Sequence, residues 1–119
     1  MSEKEMSGAR SMDIPYGTLD LLILKSLETM GRLNGYALAR RIEQVAGESV
    51  QLSQGAVYPA LIRLQQEGWI RAELGVSETN RQVKFYSLTA AGRKQLRIEV
   101  ANWEKGAALV ARFLQGSAR

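Results

Sequence analysis

The side chains that ordinarily carry covalent or acid–base chemistry are nearly missing from this sequence. It contains no cysteine and no histidine, which removes disulfides, thiolate or imidazole metal sites, Cys or His nucleophiles and Ser-His-Asp triads. Carboxylates, Lys, Tyr and Ser remain, but the 12 acidic residues are scattered. They form neither a paired acid/base site nor an oxygen cage for a hard cation. No catalytic residue, metal or cofactor is expected, and the chain is not read as an enzyme. The spacing favours binding to an anion instead. Lys and Arg number 16 for a net charge of +4, and the excess is uneven: ten basic and five acidic residues lie between Arg32 and Arg97, against six and seven in the two flanks together. A basic excess confined to one region is an electrostatic footprint for nucleic acid.

Three groups carry the candidate contacts. Tyr36, Arg40 and Arg41 fall on one segment, where charge-assisted bonds to phosphates would position a domain without reading sequence; the alternative is a solvated helix face. Ser53, Gln54 and Gly55 open another segment that continues through Tyr58 to Arg63. Ser53 is read either as a helix cap or as a partner for base edges, Gln54 as a base reader or as a solvent-exposed side chain, and Gly55 as a point where backbone approaches phosphates or bases. Tyr58 is either a backbone contact or a half-buried packing residue, and Ile62 either meets a thymine methyl or is a singly exposed apolar residue. Arg81 and Lys84 form the third group, suited to phosphates or a minor groove.

The elements that must position these residues follow from hydrophobic spacing. Residues 1–13 are polar and mixed in charge and are read as a flexible arm. Thr18 is expected to cap a first helix, with Asp20 in its first turn and Leu19, Leu22, Ile23, Leu27 and Met30 at helical spacing. Asn34 caps a second helix whose inner stripe is Leu38, Ile42 and Val45, ended by Gly47. A third helix starts at Ser53 and buries Val57, Leu61 and Leu64, with Gly55, Pro59, Ile62 and Gln66 opposite; Pro59 should make its start irregular. Trp69–Leu74 and Gln82–Leu88 alternate apolar and polar residues around a turn-rich Gly75–Arg81, which predicts an antiparallel β-hairpin.

Thr89 caps a long last helix, in which Leu96, Val100, Trp103, Ala107, Val110 and Leu114 recur at steps of four and three. The core already has its own apolar faces, so this stripe is expected to meet a second copy of the chain, with Trp103 as anchor near the two-fold axis. A sharper alternative makes Trp103 and Ala107 the walls of a flat pocket for a small planar aromatic effector. The predicted fold is mainly α with a small β-hairpin: a winged helix-turn-helix domain over residues 14–88, a dimerisation helix over 89–115 and a frayed tail over 116–119. No stretch approaches the ~20 apolar residues of a membrane span. The opening MSEKEMSGARSMD has no apolar run, so a cytoplasmic location is expected.

Four segments carry a more specific resemblance: Gly17–Leu24, Gly35–Leu38, Gly55–Leu64 with Glu67–Ile70, and Lys84–Gly92. Together they resemble the PadR family of bacterial transcriptional regulators, and the proline within Tyr58-Pro59-Ala60-Leu61 is the distinctive part. The single C-terminal helix is similar to that of the shorter PadR subfamily. The resemblance implies a homodimer built mainly on that helix, a sequence-specific double-stranded DNA-binding repressor with a near-palindromic operator, and Tyr58 at the DNA backbone. Some members respond to aromatic compounds, which is what the resemblance adds to the Trp103 pocket. The wing departs from the family pattern, since Arg81-Gln82-Val83-Lys84 has two basic residues where three or four are usual. The competing reading is a winged-helix protein-interaction or small-molecule sensor module with weak or no DNA binding.

Overall fold

The computed structural model describes residues 17–47, 52 and 54–116. The expected N-terminal arm, Ser53 and the last three residues lie outside them. Among the described residues there are four helices and three strands: α1 (Thr18–Met30), β1 (Leu33–Asn34), α2 (Gly35–Ala46), α3 (Gln54–Gln66), β2 (Ile70–Val76), β3 (Gln82–Leu88) and α4 (Ala90–Leu114). None of these helices is long and apolar enough to cross a membrane.

Local chemistry explains most of the boundaries. Asn34 caps α2, its side-chain oxygen accepting the Ala37 N–H at 2.7 Å, which satisfies one of the amides a helix start leaves open. Thr18 does not cap α1. Gly17 occupies the cap position with φ 88° and no side-chain bond, and Thr18 is the first helical residue. α3 runs through Pro59. The proline has no N–H to donate back to the Gly55 carbonyl, and it lies on the exposed side of the helix.

The expected hairpin is real but incomplete as a description. β3 pairs with β2 from Ile70↔Leu88 to Val76↔Gln82, and its other edge takes up β1, with Leu33 opposite Tyr86 and Asn34 opposite Phe85. The sheet is three-stranded in the order β1-β3-β2. A two-residue strand is too short to display an alternating pattern, so hydrophobic spacing does not reveal it.

Helices and sheet close over one core. Ile23, Leu24 and Leu27 from α1 meet Leu38 and Ile42 from α2, Val57, Leu61 and Leu64 from α3, and Ile70, Tyr86 and Leu88 from the sheet. Met30 and Val45 had been placed on the inner stripes, yet they are 48% and 70% exposed. Both stand in the last turn of their helices.

α4 is fastened at its start. The Thr89 hydroxyl donates to the Gly68 carbonyl at 2.7 Å and accepts the Gly92 N–H at 3.0 Å, while the Thr89 N–H donates to the Trp69 carbonyl. The approach is so close that a Cβ on Gly92 would fall 2.0 Å from that carbonyl oxygen. Only glycine fits there. Leu96, four residues on, is buried in the chain's own core, and Val100 packs at its edge.

Candidate nucleic-acid interface

Three elements converge on one groove. The start of α2 brings Asn34, Gly35 and Tyr36, α3 brings Tyr58, and the wing formed by β2, β3 and their connecting turn brings Arg81, Gln82 and Lys84. The groove measures about 590 Å³ and is lined by two cations and no carboxylate. Gly35 makes the meeting of α2 and α3 close, since a Cβ there would lie 3.1 Å from the Tyr58 ring. Tyr86 forms part of the groove wall, and burial, aided by neighbouring Tyr58, pushes its phenol above the usual tyrosine range.

The wing is held in shape by its own turn. The Ser77 N–H donates to the Arg81 carbonyl at 2.8 Å and the Asn80 N–H to the Ser77 carbonyl at 2.9 Å, with Asn80 at φ 62°, a left-handed conformation that asparagine tolerates better than most residues. Behind the turn, Arg32 stacks on the Phe85 ring at 3.9 Å and approaches Glu73 at 3.5 Å. Gly75 gives the ring room, because a Cβ there would come within 2.8 Å of it. Arg32 is thus occupied in bracing the sheet.

The remaining predicted residues separate into groups. Tyr36 and Arg40 are exposed and Arg41 is half-buried; with Gln44 all three line a second concavity between α2 and the wing turn. Tyr58 is 43% and Ile62 56% exposed, and Gly55, Pro59 and Gln66 share the outer face of α3. Ala60, not predicted inside, completes the buried stripe with Val57, Leu61 and Leu64. Gln54 is the first residue of α3. Arg63 turns away from the group: its guanidinium donates to Asp20 of α1 at 2.5 Å, tying α3 to α1. The sequence reading missed Arg32, Ser77 and Thr79, because a polar turn looks alike whether or not it folds back toward α2.

The predicted stripe on α4 is divided. Leu96 is only 2% exposed within the chain and leaves the set of interface candidates, and Val100 is half-buried against the core. From residue 101 onward every described side chain is exposed. There Trp103, Ala107, Val110 and Leu114 line a shallow concavity with Gly106 and Ala111. Ile98, Leu109 and Phe113 widen the apolar surface beyond the predicted stripe.

A three-helix core with a hairpin standing beside the third helix defines a winged helix-turn-helix protein. Residues 23–98 match the transcriptional regulator PadR-like family, and the chain belongs to that family. Its members are transcriptional regulators, which suits a sequence without the usual catalytic side chains. Among solved structures, the chain is similar to a PadR-like transcriptional regulator from Bacillus cereus, with 29% identity, a TM-score of 0.70 and coverage of 83% of this chain and 93% of that one. It is also similar to Bacillus subtilis PadR solved in complex with operator DNA, with 28% identity, a TM-score of 0.60 and coverage of 69% and 47%. The negative transcriptional regulator PadR of B. subtilis is 29% identical over 66 residues, which span 56% of this chain and 36% of that protein.

Proposed function

We propose that this regulator binds duplex DNA as a homodimer, through α3 and the wing, and represses transcription from a near-palindromic operator. The groove lined by Tyr36, Tyr58, Arg81 and Lys84 carries this reading, because residues far apart in sequence meet there with positive charge only. α3, at 13 residues, is about 20 Å long and offers its outer face to a major groove that is ~12 Å wide. Gln54 reads base edges, the backbone at Gly55 approaches them, and Ser53, which precedes both in the sequence, is assigned the same role as Gln54. Tyr36, Arg40 and Arg41 hold phosphates, and Arg81 and Lys84 engage backbone or minor groove beside them. Arg63 sets the angle of α3 through Asp20. The exposed apolar stripe on α4 supports a two-fold dimer with Trp103 near the axis, which would set two recognition helices roughly 34 Å apart. Repression is supported by the name of the B. subtilis relative, and DNA binding by the complex in which that protein was solved.

Titration of labelled duplexes over a salt series tests the division of labour. Arg40→Ala and Arg41→Ala should weaken binding to all sequences alike and each lower the salt slope by about 1, whereas Gln54→Ala should change sequence preference. Equal effects of all three on specific and random DNA would refute it. A second reading, a sensor for a planar aromatic effector, is favoured by the concavity beside Trp103 and Ala107. Quenching of Trp103 fluorescence by such compounds, after Trp69→Phe, would support it, and a lack of salt-dependent duplex affinity would leave it as the main function.

A further inference from the structure

The outer face of α3 holds little charge for a surface offered to a polyanion. In the sequence of that helix Arg63 is the only charged residue, and its guanidinium is given to Asp20 of α1. Gly55, Pro59 and Ile62 follow one another at steps of four and three, so they stack in one row along the helix over about 10 Å. All three are exposed, and none carries a side-chain hydrogen-bond donor or acceptor. Tyr58 adjoins the row and also lines the groove with Arg81 and Lys84, which puts the row beside the surface that the wing completes. Ile62, one turn past Tyr58, is the row's one large aliphatic side chain and stands out into solvent.

We infer that Ile62 reads the 5-methyl group of a thymine in the major groove and is a specificity-determining residue of this regulator. The inference rests on the proposal that α3 enters that groove. The edges of adenine, guanine and cytosine present hydrogen-bond donors and acceptors there, whereas thymine adds an apolar methyl group. An isoleucine set against a donor or acceptor displaces its water and returns no bond, which costs free energy. Set against a thymine methyl it removes apolar surface of both partners from water, which is favourable. Both effects select thymine. The contact differs from the one assigned to Gln54, whose amide pairs with polar edges, and from those of the cations, because it releases no counterion.

The test uses duplexes that carry the motif the protein selects, with each thymine replaced in turn by uracil, a change that removes the methyl group and keeps the pairing edge. At one thymine of a half-site the replacement should raise the Kd of the wild type about fourfold, and about 15-fold when the symmetry-related thymine is replaced as well, as expected for one buried carbon per contact. Ile62→Ser should erase the sensitivity at that thymine and Ile62→Val should retain it. Neither variant should alter the salt slope, which a phosphate contact would, and at an exposed position neither should alter the thermal melt. A methyl effect that persists at the same thymine in Ile62→Ser would assign the reading to another residue and overturn the inference. Equal affinity of the wild type for the thymine and uracil duplexes would also overturn it, without recourse to any variant, and would leave sequence-selective DNA binding standing. A protein that binds no duplex would instead defeat the proposed function, and this inference with it.

Discussion

The body of the domain and the last four turns of α4 are built from similar apolar residues but treat them in opposite ways. In the body, Leu24, Leu38, Leu61 and Leu64 lose all contact with solvent. Along α4 past Val100, Trp103 remains 57% exposed and Leu114 80%. Water penalises both sets equally per unit of apolar area, at about 25 cal/mol per Å². The first set forms the chain's own core, whereas the second is exposed apolar surface, the surface that the proposed dimer would cover. The difference separates stability from assembly: body residues should govern unfolding of the chain, and the end of α4 should govern its association.

Substitutions can break that separation or sharpen it. Leu61→Ala, at the centre of the body, is expected to cost about 2–5 kcal/mol, read as a lower denaturant midpoint with an unchanged m-value. Gly92→Ala forces a methyl group against the Trp69 carbonyl and should cost about 1–3 kcal/mol or abolish folding, as overpacking does; a thermal melt would show it. Trp103→Ala should leave the secondary structure unchanged but weaken dimerisation by about 2 kcal/mol, close to 30-fold in Kd, as loss of a tryptophan anchor does; sedimentation over a concentration series would measure it. Because unfolding of a dimer depends on protomer concentration, any fall in melting temperature for this variant should shrink upon dilution. Asn34→Ala removes one capping bond and should cost about 1 kcal/mol, a small shift in the same melt.

Much of the body was legible in the sequence because its cues are local. Asn34 and Thr89 announce their helices through side-chain chemistry that needs only the next three residues. The stripe of Val57, Leu61 and Leu64 follows from helical spacing alone. The alternation in Gln82–Leu88 marks a strand. The failures share the opposite character. β1 exists because Leu33 and Asn34 find Tyr86 and Phe85 more than fifty residues away, and two residues leave no periodic trace. Arg63 carries the same charge as Arg81, but its bond to Asp20 of α1 makes it a brace between two helices. Leu96 continues the same heptad spacing as Trp103, but the core ends between them. Spacing along a helix says which side is apolar and cannot say where along its length the chain's own covering stops.

The candidate interface was legible by residue type more than by geometry. Tyr36, Tyr58 and the pair Arg81 and Lys84 belong to three separate groups in the sequence, and the groove that joins them depends on the wing turn folding back through the Ser77–Arg81 bonds. The close approach at Gly35 likewise depends on a ring from another helix. The central claim is that this arrangement, doubled by α4, reads DNA. Selection of bound sequences from a random duplex library at near-physiological salt, where sequence-blind binding is suppressed, tests it most directly. The account predicts recovery of a two-fold symmetric motif with half-sites about one helical turn apart; recovery of no motif, or of a single unrepeated half-site, would contradict it.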